Sequence, residues 1–173
     1  TYPVVETEHK DNICHMVSAP AQVPEKVADD AIKIAYKVMH NLHGAGISAI
    51  EMFVVAGKVL VNEVAFGRPH NSGHLGIEAY ETSQFKQHLL AITGRELGAT
   101  SLRVPAAAMV NILGTGRADL DWVGAKTIAQ DVFAHSYGKP SRLKRKIGHV
   151  TAFGATVQEA QQKALAARNM YDV

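Results

Sequence analysis

Ile47 to Ala65 reads ISAIEMFVVAGKVLVNEVA. Two runs rich in Val, Ile and Phe flank Ala56-Gly57-Lys58, the pattern of an antiparallel hairpin. A three-residue loop there pairs Val55 with Val59 and sets Glu51 directly opposite Glu63. Opposed side chains lie about 4.5–5.5 Å apart at Cβ, and like charges at that distance are destabilising unless something positive sits between them. Mg2+ can supply that charge: it takes one or two carboxylates, keeps some waters and completes its shell with phosphate oxygens. Phe53 shares the face of Glu51 and offers a surface for a nucleotide base, and Asn62 adds a polar contact from the adjacent position. The same pattern also suits two glutamates solvated on an exposed sheet face. A two-residue loop would put the pair on opposite faces.

Directly after the hairpin comes Arg68-Pro69-His70-Asn71-Ser72-Gly73-His74. A guanidinium fork, two imidazoles, an amide and a hydroxyl within seven residues suit a small planar oxyanion. Arginine matches a carboxylate or bicarbonate bidentately, while Asn71, Ser72 and backbone N–H groups add donors. His70 and His74 are four apart, but Ser72-Gly73 argues against a helix between them, and no cysteine or nearby carboxylate completes a zinc set. A capped surface loop ahead of a helix is the competing reading. Further on, Lys139, Arg142, Lys144, Arg145 and Lys146 cluster around Pro140. They suit a solvated charge run, a phosphate site for a small metabolite, or a nucleic-acid patch; poor aromatic interleaving lowers the last.

Composition bounds the rest. The 173 residues predict one domain, or one and a fraction. The chain is 47% hydrophobic, 20% charged and 6% aromatic, which suits a globular core and not disorder. Cys14 is the only cysteine, so an internal disulfide and an all-cysteine zinc site are excluded; it reads as a core residue rather than a nucleophile. A formal charge of +2 is too balanced for a dedicated polyanion binder. No segment approaches the ~20 apolar residues that span a bilayer. No targeting segment is visible, which gives a cytoplasmic expectation, with a plastid the alternative in a plant. The opening Thr-Tyr-Pro-Val-Val-Glu reads like the middle of a strand, so the chain is expected to be a piece of a longer polypeptide.

Around the hairpin, residues 2–6 and 12–17 are β-rich and joined by a polar turn at His9, Lys10 and Asp11. Pro24 to His43 carries an apolar stripe of Val27, Ala31, Ile34, Val38 and Leu42, with Pro24 in the first turn and Gly44 at C′. Ser83–Thr93 predicts a helix with Phe85, Leu89 and Ile92 on one face, capped by Thr82 or Ser83. Strands are expected at 102–113, 131–136 and 146–153. A last helix starts at the capping box Thr156-x-x-Glu159 and runs to about Asn169. The fold class is α+β, a largely antiparallel sheet with helices packed on it. A boundary near 98–103 divides a main portion, 1–100, from a small β-rich C-terminal lobe, 101–173.

Together, Tyr2 to Glu6, His9-Lys10-Asp11-Asn12-Ile13-Cys14-His15, Asn62 to Ala65, Arg68 to His74, Glu81-Thr82-Ser83-Gln84-Phe85 and Arg145 to Thr151 resemble N5-carboxyaminoimidazole ribonucleotide synthase. This is the ATP-grasp component of phosphoribosylaminoimidazole carboxylase, and the wording resembles the eukaryotic, bifunctional form. The resemblance runs in order along essentially the whole chain. It implies the C-terminal half of an ATP-grasp enzyme of purine biosynthesis that carboxylates 5-aminoimidazole ribonucleotide with bicarbonate, through carboxyphosphate, using ATP and Mg2+. By position it implies Glu51 and Glu63 as Mg2+ ligands, and His9, Phe53, Asn62 and Glu63 around ATP. Arg68, His70 and Asn71, with Ser72, fall on the bicarbonate and carboxyphosphate contacts. Lys139 and Arg145, with Lys146 beside them, fall on the ribonucleotide phosphate. The N-terminal ATP-grasp half and a carboxylase (mutase) domain become implied partners, a homodimer is left open, and a membrane or nucleic acid is not expected. Alone, the chain is expected to turn over negligibly. The rival is a non-catalytic ATP-grasp remnant serving as a binding or assembly module. Two departures stand out: Phe66-Gly67 replaces one proline, which displaces Arg68 by up to ~3.3 Å unless a bulge absorbs it, and Tyr80 stands where cysteine is common.

Overall fold

The computed structural model describes residues 1–171; the last two positions of the expected C-terminal lobe, 172 and 173, lie outside them. In chain order the elements are β1 (Glu6–Lys10), β2 (Ile13–Ala19), α1 (Glu25–Leu42), β3 (Ala49–Val55), β4 (Lys58–Ala65), a 3-10 turn (Asn71–Leu75), α2 (Gly76–Ala79), α3 (Gln84–Ile92), β5 (Ala106–Leu113), β6 (Gly124–Ala129), β7 (Val132–Ser136), β8 (Lys146–Gly154) and α4 (Val157–Arg168). The fold is α+β. Residues 1–4 and 21–103 form one compact unit, and residues 5–20 join the stretch from 104 onward in a second. No helix among the described residues is long and apolar enough to cross a membrane.

The second unit is a six-stranded sheet in the order β1-β2-β5-β8-β7-β6, antiparallel throughout. β5 and β8 lie at its centre and are buried along almost their whole length. One face carries Met16, Ala108, Val110, Ile112, Ile147 and Val150 against Ala160, Ala164 and Ala167 of α4. Alanines on both sides let helix and sheet backbones approach closely. The hydroxyl of Thr156 accepts the Glu159 N–H at 3.2 Å, and Glu159 Oε2 accepts the Ala155 N–H at 2.8 Å. The capping box therefore forms with its return arm one residue early.

Several local details differ from the sequence expectation. The first strand pair turns at Asp11-Asn12, both at positive φ, and not at His9 to Asp11. Strand β6, Gly124 to Ala129, is an additional strand that is mostly exposed and lacks an apolar alternation; pairing with β7 creates it.

In the first unit, α1 buries Val27 and Ala31, then its stripe runs through half-buried Ile34 and Val38 out to exposed Leu42. Pro24 is the N-cap, one position before the first helical turn. His43 takes the left-handed conformation expected of Gly44 (φ 48°). Gly44 instead leaves room for Phe66: a Cβ there would lie 1.9 Å from the tip of its ring. Ser83 caps α3 through the Lys86 N–H. The expected apolar face of α3 is turned outward: Phe85, Leu89 and Ile92 are exposed, whereas Gln84 and Gln87 are buried.

Candidate functional site

The hairpin β3–β4 turns in two residues, Ala56 and Gly57, both at positive φ (49° and 75°), so Val55 pairs with Lys58 rather than Val59. A simple two-residue hairpin would separate the glutamates by face. It does not do so here, because the register slips between Met52 and Glu51: Met52 pairs with Val61, Glu51 with Glu63, and Asn62 is left over as a bulge. The loop is one residue shorter than expected and the arm one residue longer, so the two carboxylates still face each other. Phe53 pairs with Leu60 on the same face, and both are exposed. Glu63 is exposed and its carboxylate has no partner among the described residues. Glu51 is half-buried.

Beyond Ala65 the chain turns at Phe66-Gly67, with Gly67 at φ 67° and its N–H donating to Ser48 Oγ at 3.0 Å. Arg68 follows, exposed. Despite the extra residue, the loop stays against the hairpin: His70 Nε2 lies 3.6 Å from Glu51 Oε1. The Ser72 N–H donates to His70 Nδ1 at 3.4 Å, and Ser72 Oγ is 2.9 Å from the same nitrogen. With Nδ1 accepting, the neutral ring carries its proton on Nε2, the nitrogen nearer the carboxylate. The first unit therefore brings Glu51, Glu63, Phe53, His70, Asn71 and Ser72 onto two adjoining elements.

Gln84, the first residue of α3, holds this loop. Its Oε1 accepts the His70 N–H at 2.9 Å, and its Nε2 donates to the His70 carbonyl at 2.8 Å and lies 2.8 Å from His74 Nδ1. A Cβ on Gly73 would meet Gln84 Oε1 at 2.4 Å, so position 73 must be glycine for the amide to fit. In the sequence, Gln84 stands out only as part of the 81–85 motif; a neutral amide has neither charge nor apolar periodicity to mark it. Tyr80 packs its ring where a Cβ on Gly76 would sit and 4.9 Å from the ring of Tyr2. Burial pushes the Tyr80 phenol well above its usual value and that of Tyr2 up to about 12, and the Tyr2 hydroxyl donates to the Thr82 carbonyl. Tyr80 thus packs beside the loop, against Gly76 and Tyr2.

The remaining candidates belong to the second unit. His9 is exposed on β1, paired with Cys14, which is buried. The basic segment is pinned at both ends of one turn: the Gly114 N–H donates to the Arg145 carbonyl at 2.8 Å and the Lys144 N–H to the Gly114 carbonyl at 3.0 Å. Gly114 has no room for a Cβ, which would lie 2.7 Å from the Arg142 carbonyl. Lys144 Nζ pairs with Asp11 at 3.3 Å, tying the segment to the β1–β2 turn beside His9. Lys139 is exposed with its Nζ 5.3 Å from the Tyr137 ring centroid, while Arg145 and Lys146 are half-buried. Tyr137 in turn bonds His149 Nδ1 at 2.8 Å, and His149 stacks on His135. Among the described residues no three His, Cys, Asp or Glu side chains converge on one point.

An ATP-grasp domain model matches residues 1–85, and a phosphoribosylaminoimidazole carboxylase C-terminal domain model matches residues 107–163. The phosphoribosylaminoimidazole carboxylase of Schizosaccharomyces pombe is 41% identical over 171 residues, covering 94% of this chain and 31% of the relative. The N5-carboxyaminoimidazole ribonucleotide synthase of Mycobacterium bovis is 37% identical over 170 residues, covering 94% of this chain and 39% of the relative. Among solved structures, the Aspergillus clavatus synthase, in complex with ADP and 5-aminoimidazole ribonucleotide, matches with a TM-score of 0.81 and 33% identity over 97% of this chain and 47% of its own. The Thermotoga maritima synthetase matches at 0.79 and 42%, over 97% and 46%. The chain spans less than half the length of each of these relatives. With ATP-grasp sequence followed by this C-terminal domain, the chain belongs to the family of phosphoribosylaminoimidazole carboxylases and N5-carboxyaminoimidazole ribonucleotide synthases.

Proposed function

We propose that this chain supplies the carboxylate hairpin, the oxyanion loop and a phosphate-binding segment to an enzyme of purine biosynthesis that carboxylates 5-aminoimidazole ribonucleotide with bicarbonate and ATP. The observation that carries the reading is the junction of hairpin and loop, where His70 Nε2 lies 3.6 Å from Glu51 Oε1. Hard carboxylate oxygens on opposed residues suit Mg2+ and leave positions for phosphate oxygens and water. When bound at Glu51 and Glu63, Mg2+ neutralises charge on the triphosphate. Phe53 and Asn62 of the same hairpin contribute to the surroundings of ATP.

Arg68, His70, Asn71 and Ser72 hold bicarbonate in line with the terminal phosphoryl group. A bicarbonate oxygen attacks the γ-phosphorus, the bond to the ADP oxygen breaks, and carboxyphosphate forms. The amine of 5-aminoimidazole ribonucleotide then attacks the carboxyl carbon, phosphate leaves and the amine loses a proton. Donors fixed before the reaction stabilise developing negative charge without having to reorganise, which is the main service of such a loop. Lys139, Arg145 and Lys146 clamp the ribonucleotide phosphate. The partners in this reading are the rest of an ATP-grasp fold and, by analogy with the fused carboxylases, a carboxylase domain.

The test is co-expression with the part of the Thermotoga maritima synthetase that this chain does not span. The reading expects ADP formation that requires Mg2+, bicarbonate and 5-aminoimidazole ribonucleotide together, with negligible turnover by the chain alone. Glu51→Gln with Glu63→Gln should lower the rate about a hundredfold or more. ADP release unchanged by the double substitution would overturn the assignment.

A further inference from the structure

We infer that Gln84 is the positioning residue of the oxyanion loop, fixing both the backbone at His70 and the tautomer of His74; the functional part of this inference rests on the reading proposed above. The chemistry leaves one arrangement. A backbone N–H can only donate and a backbone carbonyl can only accept. The end of the Gln84 amide that faces the His70 N–H at 2.9 Å is therefore oxygen, and the end that faces the His70 carbonyl at 2.8 Å is the NH2 group. That NH2 also lies 2.8 Å from His74 Nδ1, and it has only protons to offer. His74 Nδ1 must then accept, and the neutral ring carries its proton on Nε2. The ring stacks on Phe85, with centroids 5.5 Å apart and planes 24° apart, so it cannot rotate freely to another arrangement.

Gln84 is only 4% exposed, so these bonds form out of competition with water. The absent Cβ of Gly73 makes the space for the amide. Gln87, one turn further along α3, repeats the device: its amide bonds both the N–H and the carbonyl of Gly98, at 2.9 Å each. Two buried glutamines on one helix thus each bond both the N–H and the carbonyl of a single residue, spanning two successive peptide groups. The grip of Gln84 is on the residue whose imidazole reaches Glu51, and this is why we assign it the positioning role.

Three measurements test this. On the 173-residue chain, imidazole 15N NMR should show His74 with an accepting Nδ1 and a protonated Nε2. Gln84→Leu, close in size and unable to bond, should erase that Nδ1 signature and speed amide exchange at His70 at least about tenfold. Gln84→Glu keeps the acceptor for the His70 N–H but replaces the donor, and should draw a proton onto His74 Nδ1. In the complemented enzyme, Gln84→Leu should raise KM for bicarbonate at least about tenfold while KM for ATP stays within twofold. A His74 ring protonated on Nδ1 in the unsubstituted chain, or unchanged His70 exchange in Gln84→Leu, overturns the assignment; so does a bicarbonate KM that moves no more than that for ATP. Should the complemented enzyme show no bicarbonate dependence at all, the functional reading fails and the NMR arm alone decides the role of Gln84.

Discussion

The two hairpins of this chain, β1–β2 and β3–β4, are built alike. Each turns in two residues at positive φ, Asp11-Asn12 and Ala56-Gly57, and each carries one unpaired residue, His15 in the first and Asn62 in the second. Their surroundings differ. β2 is hydrogen-bonded to β5 and buried in a six-stranded sheet, whereas β3 and β4 form a two-stranded ribbon with Phe53, Val54, Val55, Leu60 and Val61 exposed. Identical local grammar therefore serves two ends. In one case the neighbours fix the hairpin and the bulge only bends it; in the other the turn and bulge themselves decide which way the carboxylates point.

The largest effect that separates the two is the loss of a core contact. Met16→Ala on β2 should cost about 2–5 kcal/mol in urea unfolding, because its side chain is packed against the sheet and α4. Phe53→Ala, an aromatic deletion of larger volume, should stay within about 0.5 kcal/mol, since the ring is 58% exposed. Equal losses at the two sites would break the distinction. Next comes the turn. Ala56 sits in the left-handed region without a side chain suited to it, so Ala56→Asn should stabilise the ribbon by about 0.5–1 kcal/mol. Asp11-Asn12 already has suitable residues there.

The smallest effect concerns the first bulge. Burial, with Lys10 and Arg168 adding to it against Glu8, holds the His15 imidazole below its usual pKa. The unfolded chain then takes up the proton first. The contribution of His15 to stability is complete above about pH 6.5 and falls away as the pH drops below that value. His15→Gln should flatten the pH dependence of unfolding between pH 7 and 5, and an unaltered slope would show that the bulge is not the titrating element.

The comparison also marks what the sequence makes legible. Helix α1, the capping box of α4 and the pairing of Glu51 with Glu63 can all be read from periodicity, from a Thr-x-x-Glu spacing and from two apolar runs around a glycine. The reason for the pairing cannot: a turn length and a bulge are each one residue away from the simplest expectation, and their effects cancel. Strand β6 is hidden because GAKTIA exists as a strand only through its neighbour. The face of α3 is misread for a related cause. Hydrophobic spacing marks Phe85, Leu89 and Ile92, yet the inward positions go to Gln84 and Gln87, whose value lies in hydrogen bonds to residues 14 and 11 positions away. Of the candidate site, the charged and imidazole-bearing residues are visible in the sequence, and the buried amide of Gln84, which bonds His70 and His74, is not.

The ring of Phe66 stands where a methyl group on position 44 would have to be. A side chain at 44 would have to displace the far end of that ring, which is 40% exposed and has solvent to move into. Gly44→Ala should therefore cost less than about 1 kcal/mol in urea unfolding, with the aromatic side chain giving way and the backbone keeping its path.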